Sequence, residues 1–193
     1  KDKVVLSPLE LIICENCKLQ QLKHTAPQEL LYARHYWYYS RINPVISDDL
    51  KQITKVAQKL VKLKKGDVVL DIGANDGTLL SFYPKNLVRV GCEPATNLTP
   101  ALKKVTKDVI ADFWSYDNWQ KRFKDKKAKI ITAIGMFYDM ENPNQFIKDA
   151  ADTLDENGIF IAQLMCLKPM LQKNDLGNIC HEHLEYYSFE SLK

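Results

Sequence analysis

The chain has 193 residues, 46% of them hydrophobic, a length and content that bury a full α/β core. Charged residues make up 26% with a net charge of +3, the balance of an ordinary soluble protein and not of a polyelectrolyte that binds nucleic acid. No apolar stretch approaches the roughly 18 residues of a membrane span and no signal-peptide pattern opens the sequence, so no membrane partner is expected.

Residues 1–50 show little helical periodicity and carry prolines at 8, 27 and 44. Cys14 and Cys17, in CENCKLQQL, have the separation with which two thiolates grip one tetrahedral metal ion, whereas a structural zinc site normally takes four ligands. Cys92 belongs to a core strand, Cys166 and Cys180 lie far along the chain, and His24 is at best a third candidate. Two readings stay open: half of a zinc site whose partner pair lay upstream of Lys1, in a chain that looks cut at both ends, or two free thiols on a turn. Five cysteines, odd in number and widely spread, fit a reducing cytoplasm rather than a disulfide framework. The aromatic cluster YWYYS follows at 36–40.

From about 51 to 166 helix and strand alternate, which predicts a Rossmann-like α/β sheet with helices on both faces. Leu50, Ile53, Val56, Ala57, Leu60 and Leu63 give the first helix face. In VVLDIGANDG (68–77), Val68, Val69, Leu70 and Ile72 are apolar on both sides, as suits a central parallel strand. The loop after it lies where open α/β sheets hold ligands. Gly73 and Gly77 permit positive φ and close approach, and a helix from Thr78 offers free N–H groups to an anionic group. The Gly-x-x-x-Gly spacing is neither a dinucleotide fingerprint nor a P-loop.

A second strand, 88–92, delivers Glu93 at 22 residues beyond Asp71, close to the roughly 20 expected of a carboxylate that grips ribose hydroxyls. DVIADFW ends a third strand at Asp112, within reach of an adenine amine. After it, KRFKDKKAK (121–129) reads as a solvated helix end and turn. The fourth strand, in KIITAIGMFYDMENP, ends beside Gly135; a helix near 143–154 and a fifth strand, IFIAQLM (159–165), complete the unit. Acidic residues at three strand ends in order are the pattern of S-adenosylmethionine (SAM) methyltransferases, although each alone serves equally as a turn or helix cap. The cofactor-contacting set is then Asp71, Gly73, Asn75, Asp76, Gly77, Glu93, Pro94, Asp112, Phe113 and Met136. Asp71 and Gly73 are assigned to the methionine part, Glu93 to the ribose, and Asp112 with Phe113 to the adenine.

Residues 167–193 read as a polar loop region. CHEHLEYYS (180–188) sets His181, Glu182 and His183 after the fifth strand, near the edge where a methyl donor is expected. A histidine takes a proton near neutral pH, and a neighbouring carboxylate fixes its tautomer. A metal site fits less well, because His-x-His lacks the i, i+4 spacing of zinc hydrolases. Histidines bonded to backbone in a surface loop are the third alternative.

Together, CxxC followed by LQQL, YWYYS, VLDIGANDGTLL, GCEPA and HEHLEYYS resemble the SAM-dependent sugar C-methyltransferases, which carry an amino-terminal zinc-binding segment and a carboxyl-terminal extra domain. The resemblance spans nearly the whole chain. It implies methyl transfer to carbon 3 of a nucleotide-linked 4-keto deoxysugar, with His183 as the base beside His181. Glu182 and a tyrosine, Tyr38 ahead of Tyr36, would assist the enolate or orient the sugar. It also implies a structural zinc, and a first CxxC and a carboxyl-terminal domain outside this sequence. Cys180 replaces a tyrosine common in the family, RINP replaces a serine-rich continuation, and GMFYDMENP (135–143) lacks the family's Asn and His. Two other classes remain: a methyltransferase of another small molecule in which HEH is reused or structural, and a non-catalytic module on a degenerate fold.

Overall fold

The computed structural model describes residues 6–33 and 35–193. Its first element is a hairpin of β1 (Leu11–Ile13) and β2 (Gln20–Leu22), antiparallel with Leu11 opposite Leu22. Lys18, at φ +61°, turns the chain between the two strands. A wide helical turn (Glu29–Ala33) and a tight one (Ser40–Ile42) follow. Helix α1 (Pro44–Leu60) then begins where Asn43 accepts the Val45 N–H at 3.0 Å, and Pro44 fills the first helical position, where no N–H is needed.

Beyond α1 come β3 (Val68–Ile72), α2 (Thr78–Ser81), β4 (Val88–Cys92), α3 (Thr99–Val105), β5 (Asp108–Ile110), α4 (Tyr116–Phe123), β6 (Ala128–Ile134), α5 (Pro143–Thr153), β7 (Leu154–Gln163), α6 (Leu167–Lys173) and β8 (Glu185–Tyr186). Strands β3 to β7 form one parallel sheet in the order β5-β4-β3-β6-β7. The chain winds outward from β3 through β4 to β5, then crosses back to β6. The carboxyl ends of β3 and β6 therefore flank the point where the winding reverses, and a crevice opens there.

Alternation along β3 divides the core in two. Val68, Leu70 and Ile72 pack with Trp119 and Phe123 of α4 and Phe146 of α5. Val69 faces the other way, against Ile130, Ala57 of α1 and Leu80 of α2. All five residues of β3 are buried, as a strand covered by helices on both faces requires. Among the described residues no helix is long and apolar enough to cross a membrane.

Three details differ from expectation. The buried stripe of α1 is Leu50, Thr54 and Ala57, while Val56 and Leu60 are exposed and Leu63 lies past the helix end. The apolar stripe is wider than the buried one because α1 is apolar on more of its circumference than it buries. The fifth strand begins at Leu154, not 159, with an irregularity in its pairing between Ala128 and Ile130. Gly158 lies within that strand. Finally, β8 pairs with β2, setting Gln20 opposite Tyr186, so the CHEHLEYYS segment belongs to a small sheet with the amino-terminal hairpin. Both strands are too short for sequence alternation to reveal, and their pairing is long-range.

At Gly158 an added Cβ would meet the carbonyl oxygens of Asp155 at 2.9 Å and Ala128 at 3.0 Å. Backbone atoms do not give way as a flexible side chain does. Gly158→Ala is expected to lower stability by about 1–3 kcal/mol, read as a shifted urea midpoint; an unchanged midpoint would place the β6–β7 contact elsewhere.

Candidate active site

A cleft of about 900 Å³, its open mouth included, lies outside the carboxyl ends of β3, β4 and β6. Gly73, Asn75, Glu93, Pro94, Phe113 and Met136 all line it. Gly73 has φ +72°, and a Cβ there would meet Met136 Cγ at 2.9 Å, so conformation and space both demand glycine.

Glu93 is 6% exposed and faces this cleft. Its carboxylate accepts the backbone N–H groups of Asn75 and Ala95, each at 2.8 Å. Burial pushes its pKa up, opposed by those two hydrogen bonds. Each oxygen keeps a second lone pair, so the group has capacity for two more donors.

Asp71, Asp76, Gly77 and Asp112 do not line the cleft, contrary to expectation. Asp71 is 3% exposed beneath the loop and accepts the Thr132 hydroxyl at 2.6 Å, which ties β3 to β6. Burial pushes its carboxyl up to about 7. Gly77, at φ +82°, precedes α2, where a Cβ would meet Leu102 Cδ1 at 3.0 Å; its role is packing against α3. The Asp112 carboxylate is exposed and accepts from Phe113 N–H at 2.8 Å and Asn118 Nδ2 at 3.1 Å. The cleft at this end is walled by Phe113 and Trp114 instead. An acid at a strand end caps or binds according to its side-chain direction, which spacing does not encode.

Asn75 and Asp76 hold the aromatic segment in place. Asn75 Oδ1 accepts the Ser40 N–H at 3.1 Å, and its Nδ2 donates to the Tyr38 carbonyl at 3.0 Å. Asp76, fully buried, accepts Arg41 Nε at 2.6 Å and the Arg41 N–H at 3.2 Å on one oxygen. Its other oxygen accepts the Thr78 hydroxyl at 2.6 Å and N–H at 3.1 Å. Burial works to raise Asp76, but the Thr78 and Arg41 hydrogen bonds together hold it below the usual carboxylate range. Asn97 grips Tyr36 from the next loop, accepting its N–H and donating to its carbonyl, both at 2.9 Å. Tyr32, Tyr36 and Tyr38 thereby form one wall of the cleft. Burial raises all three phenols, which stay protonated as donors.

The HEH residues are not among those lining the cleft, which differs from the expected position beside a methyl donor. His183 Nδ1 lies 2.8 Å from the Asn178 carbonyl. A carbonyl only accepts, so in the neutral ring Nδ1 carries the proton and Nε2 the lone pair. The ring packs edge-on against Tyr138, centroids 4.8 Å apart. His181 Nε2 is bonded to the Ser7 carbonyl at 2.9 Å. The Glu182 side chain is exposed, and its carbonyl accepts the Tyr32 hydroxyl.

Sequence reasoning missed Asp139, which is 6% exposed and lines the cleft. Burial, then Glu182 and Glu185, push its carboxyl up to about 9. The available signal was an acid in GMFYDMENP, a stretch read for the residues it lacks. Glu185, also 6% exposed, accepts the Tyr187 hydroxyl at 2.7 Å, and burial pushes it up to about 7.

Cys14 and Cys17 sit on the β1–β2 turn, where Lys18 N–H donates to the Cys14 carbonyl at 3.0 Å. N–H groups of Cys17 and Asn16 lower the Cys14 thiol pKa. His24 pairs with Glu10 at 3.3 Å, and all five cysteines are free. Among the described residues no three metal-ligating side chains gather, so two thiols are all the site holds.

The buried acids give a pH dependence of known sign. Asp71, Asp139 and Glu185 keep protons in the folded state that they release near pH 4 when unfolded. The folded state binds more protons above that pH, so stability falls as pH rises through the folded values. Asp76 acts in the opposite sense only below the ordinary carboxylate range. The melting temperature should therefore be lower at about pH 8 than at about pH 5; a higher value at alkaline pH contradicts these assignments.

Residues 46–193 match the family model described as Methyltransferase domain. The chain is 25% identical over 189 residues to C-methyltransferase NovU of Streptomyces niveus, covering 97% of this chain and 45% of that protein. It thus spans less than half the length of this relative. The fold is shared with the methyltransferase bound to the Trm112 activator of Haloferax volcanii, with a TM-score of 0.58 at 17% identity over 75% of this chain and 65% of that one. It is shared also with the plantazolicin methyltransferase BpumL in complex with a pentazolic desmethylPZN analogue and S-adenosylhomocysteine (SAH), TM-score 0.56 at 17% identity over 78% and 56% of the two chains. On the extent of the family match and the common sheet, the chain belongs to the Methyltransferase domain family.

Proposed function

We propose that the chain is the catalytic part of a SAM-dependent C-methyltransferase acting on carbon 3 of a nucleotide-linked 4-keto deoxysugar. The observation that carries this reading is one cleft with a buried, hydrogen-bonding carboxylate, Glu93, at its donor end and a tyrosine wall at the other. The residues present fit the cofactor. Two spare lone pairs on Glu93 match a ribose diol, the rings of Phe113 and Trp114 suit a purine, and Gly73 leaves backbone open to the amino-acid part. When bound, SAM supplies an electrophilic methyl carbon with a thioether leaving group.

Carbon is a poor nucleophile until deprotonated, and a ketone makes the adjacent C–H acidic. His183 Nε2 would take that proton, with the Asn178 carbonyl fixing the tautomer. Tyr36 and Tyr38 would orient the sugar, held by Asn75 and Asn97. Alignment of the reactants supplies much of the rate. The name of the 25% identical relative supports transfer to carbon. Cys14 and Cys17 are read as half of a structural zinc site completed by ligands outside this sequence, and Cys14, with its lowered pKa, suits thiolate ligation.

A second reading, a SAM methyltransferase of another small molecule, is favoured by one observation: His181, Glu182 and His183 lie outside the cleft lining. Kinetics separate the two. His183→Ala should abolish methylation of the keto sugar while calorimetry shows SAM binding intact; full turnover by this variant rejects the base assignment. A charged hydrogen bond contributes about 1.5–3 kcal/mol, so Glu93→Ala should weaken SAM binding by about tenfold or more. A change of less than about twofold removes Glu93 from the ribose site.

A further inference from the structure

Asp139 combines burial, position and an unmet bond. It follows Tyr138 in the turn beyond β6, lines the cleft and is 6% exposed. Its Oδ1 has no hydrogen-bond partner among the described residues. Buried polar atoms are almost always paired, so an unpaired one that also lines a cleft calls for a partner such as a water, an ion or a ligand group. The groups that act on it are Glu182 and Glu185 from the carboxyl-terminal segment, Tyr32 and Tyr36 from the aromatic wall, and Tyr138 and Tyr186. None of these is a cation. Among the described residues an ionised carboxylate would stand unpaired beside two other acids, whereas a neutral one presents an O–H to the cleft.

We propose that Asp139 donates a hydrogen bond from its neutral carboxyl to the carbonyl oxygen of the acceptor, and so selects a ketone and stabilises the enolate formed from it. This rests on the C-methylation reading above. The electrons balance: the C–H pair moves into the C–C bond as the proton passes to His183 Nε2, and the carbonyl π pair collects on the oxygen facing Asp139. When carbon then bonds the methyl, the S–CH3 pair leaves with sulfur, SAH departs and the carbonyl re-forms. Asp139 keeps its proton throughout. Glu182, expected to assist the enolate, turns its side chain to solvent, and the Tyr32 hydroxyl is already engaged by the Glu182 carbonyl. A neutral acid in an apolar site is a strong donor to a developing oxyanion. Its carboxyl stays protonated up to about pH 9, because burial, Glu182 and Glu185 all disfavour the charge.

The test isolates enolisation from methyl transfer. Protein loaded with SAH is mixed with a thymidine-diphosphate-linked 4-keto-6-deoxy sugar in deuterated water, and exchange at carbon 3 is followed by NMR against a protein-free control. Wild-type protein should catalyse exchange, with the rate falling above about pH 9 as the donor is lost. D139A should slow it by about a hundredfold while SAH binding by calorimetry stays unchanged. D139N, which keeps an N–H donor, should lose less and lack the alkaline fall. Exchange undiminished in D139A overturns the role of Asp139 alone. No exchange by wild-type protein overturns the ketone reading, and this role with it. If D139A no longer binds SAH, D139N decides: an alkaline fall that survives there overturns the assignment, and its disappearance supports it.

Discussion

Asp76 is the point on which the working arrangement depends. A carboxylate taken fully out of water costs several kcal/mol unless its lone pairs are filled. Here four donors, two from Thr78 and two from Arg41, occupy the four sites its two oxygens offer. Two of those donors belong to the amino-terminal segment. The glycine loop is therefore complete only when residues 36–41 are docked on it, and that docking is what sets the tyrosines over the cleft. Arg41 is half exposed, so the pair functions as a latch and not as a deeply buried salt bridge.

The same coupling runs to the other end of the chain. β8 pairs with β2, Leu184 N–H reaches the Tyr138 carbonyl at 3.0 Å, and Tyr32 reaches the Glu182 carbonyl. Segments far apart in sequence thus share one wall around Asp139. One end of the cleft is built by the parallel sheet and its loops, and the opposite end by chain that lies outside the sheet. Such a division lets a common methyltransferase scaffold carry different acceptors, since the loops and added segments change without disturbing the sheet.

Long apolar runs made the sheet legible: the stretches at 68–72, 88–92 and 128–134 are strands, buried along most of their length, with Glu93 at the cleft where the strand spacing placed it. Strand-end acids were less legible. Asp71 and Asp112 have the right spacing, yet one ties two strands together and the other caps a loop, because side-chain direction depends on neighbours such as Thr132 and Asn118. Asn75 lines the cleft as expected but also binds Ser40 and Tyr38, and Asp76, expected at the ligand, is filled by Thr78 and by Arg41, 35 residues away. Asp139 was invisible because a lone acid after a strand carries no pattern; only burial without a partner distinguishes it.

The central claim is that methyl transfer ends on carbon. Incubating the protein with SAM carrying a 13C-labelled methyl group and a nucleotide-linked 4-keto deoxysugar, then locating the label by two-dimensional NMR, tests it most directly. The account predicts a labelled methyl bonded to carbon 3, with its coupling to the sugar skeleton visible. A label attached to oxygen or nitrogen, or none transferred at all, contradicts it.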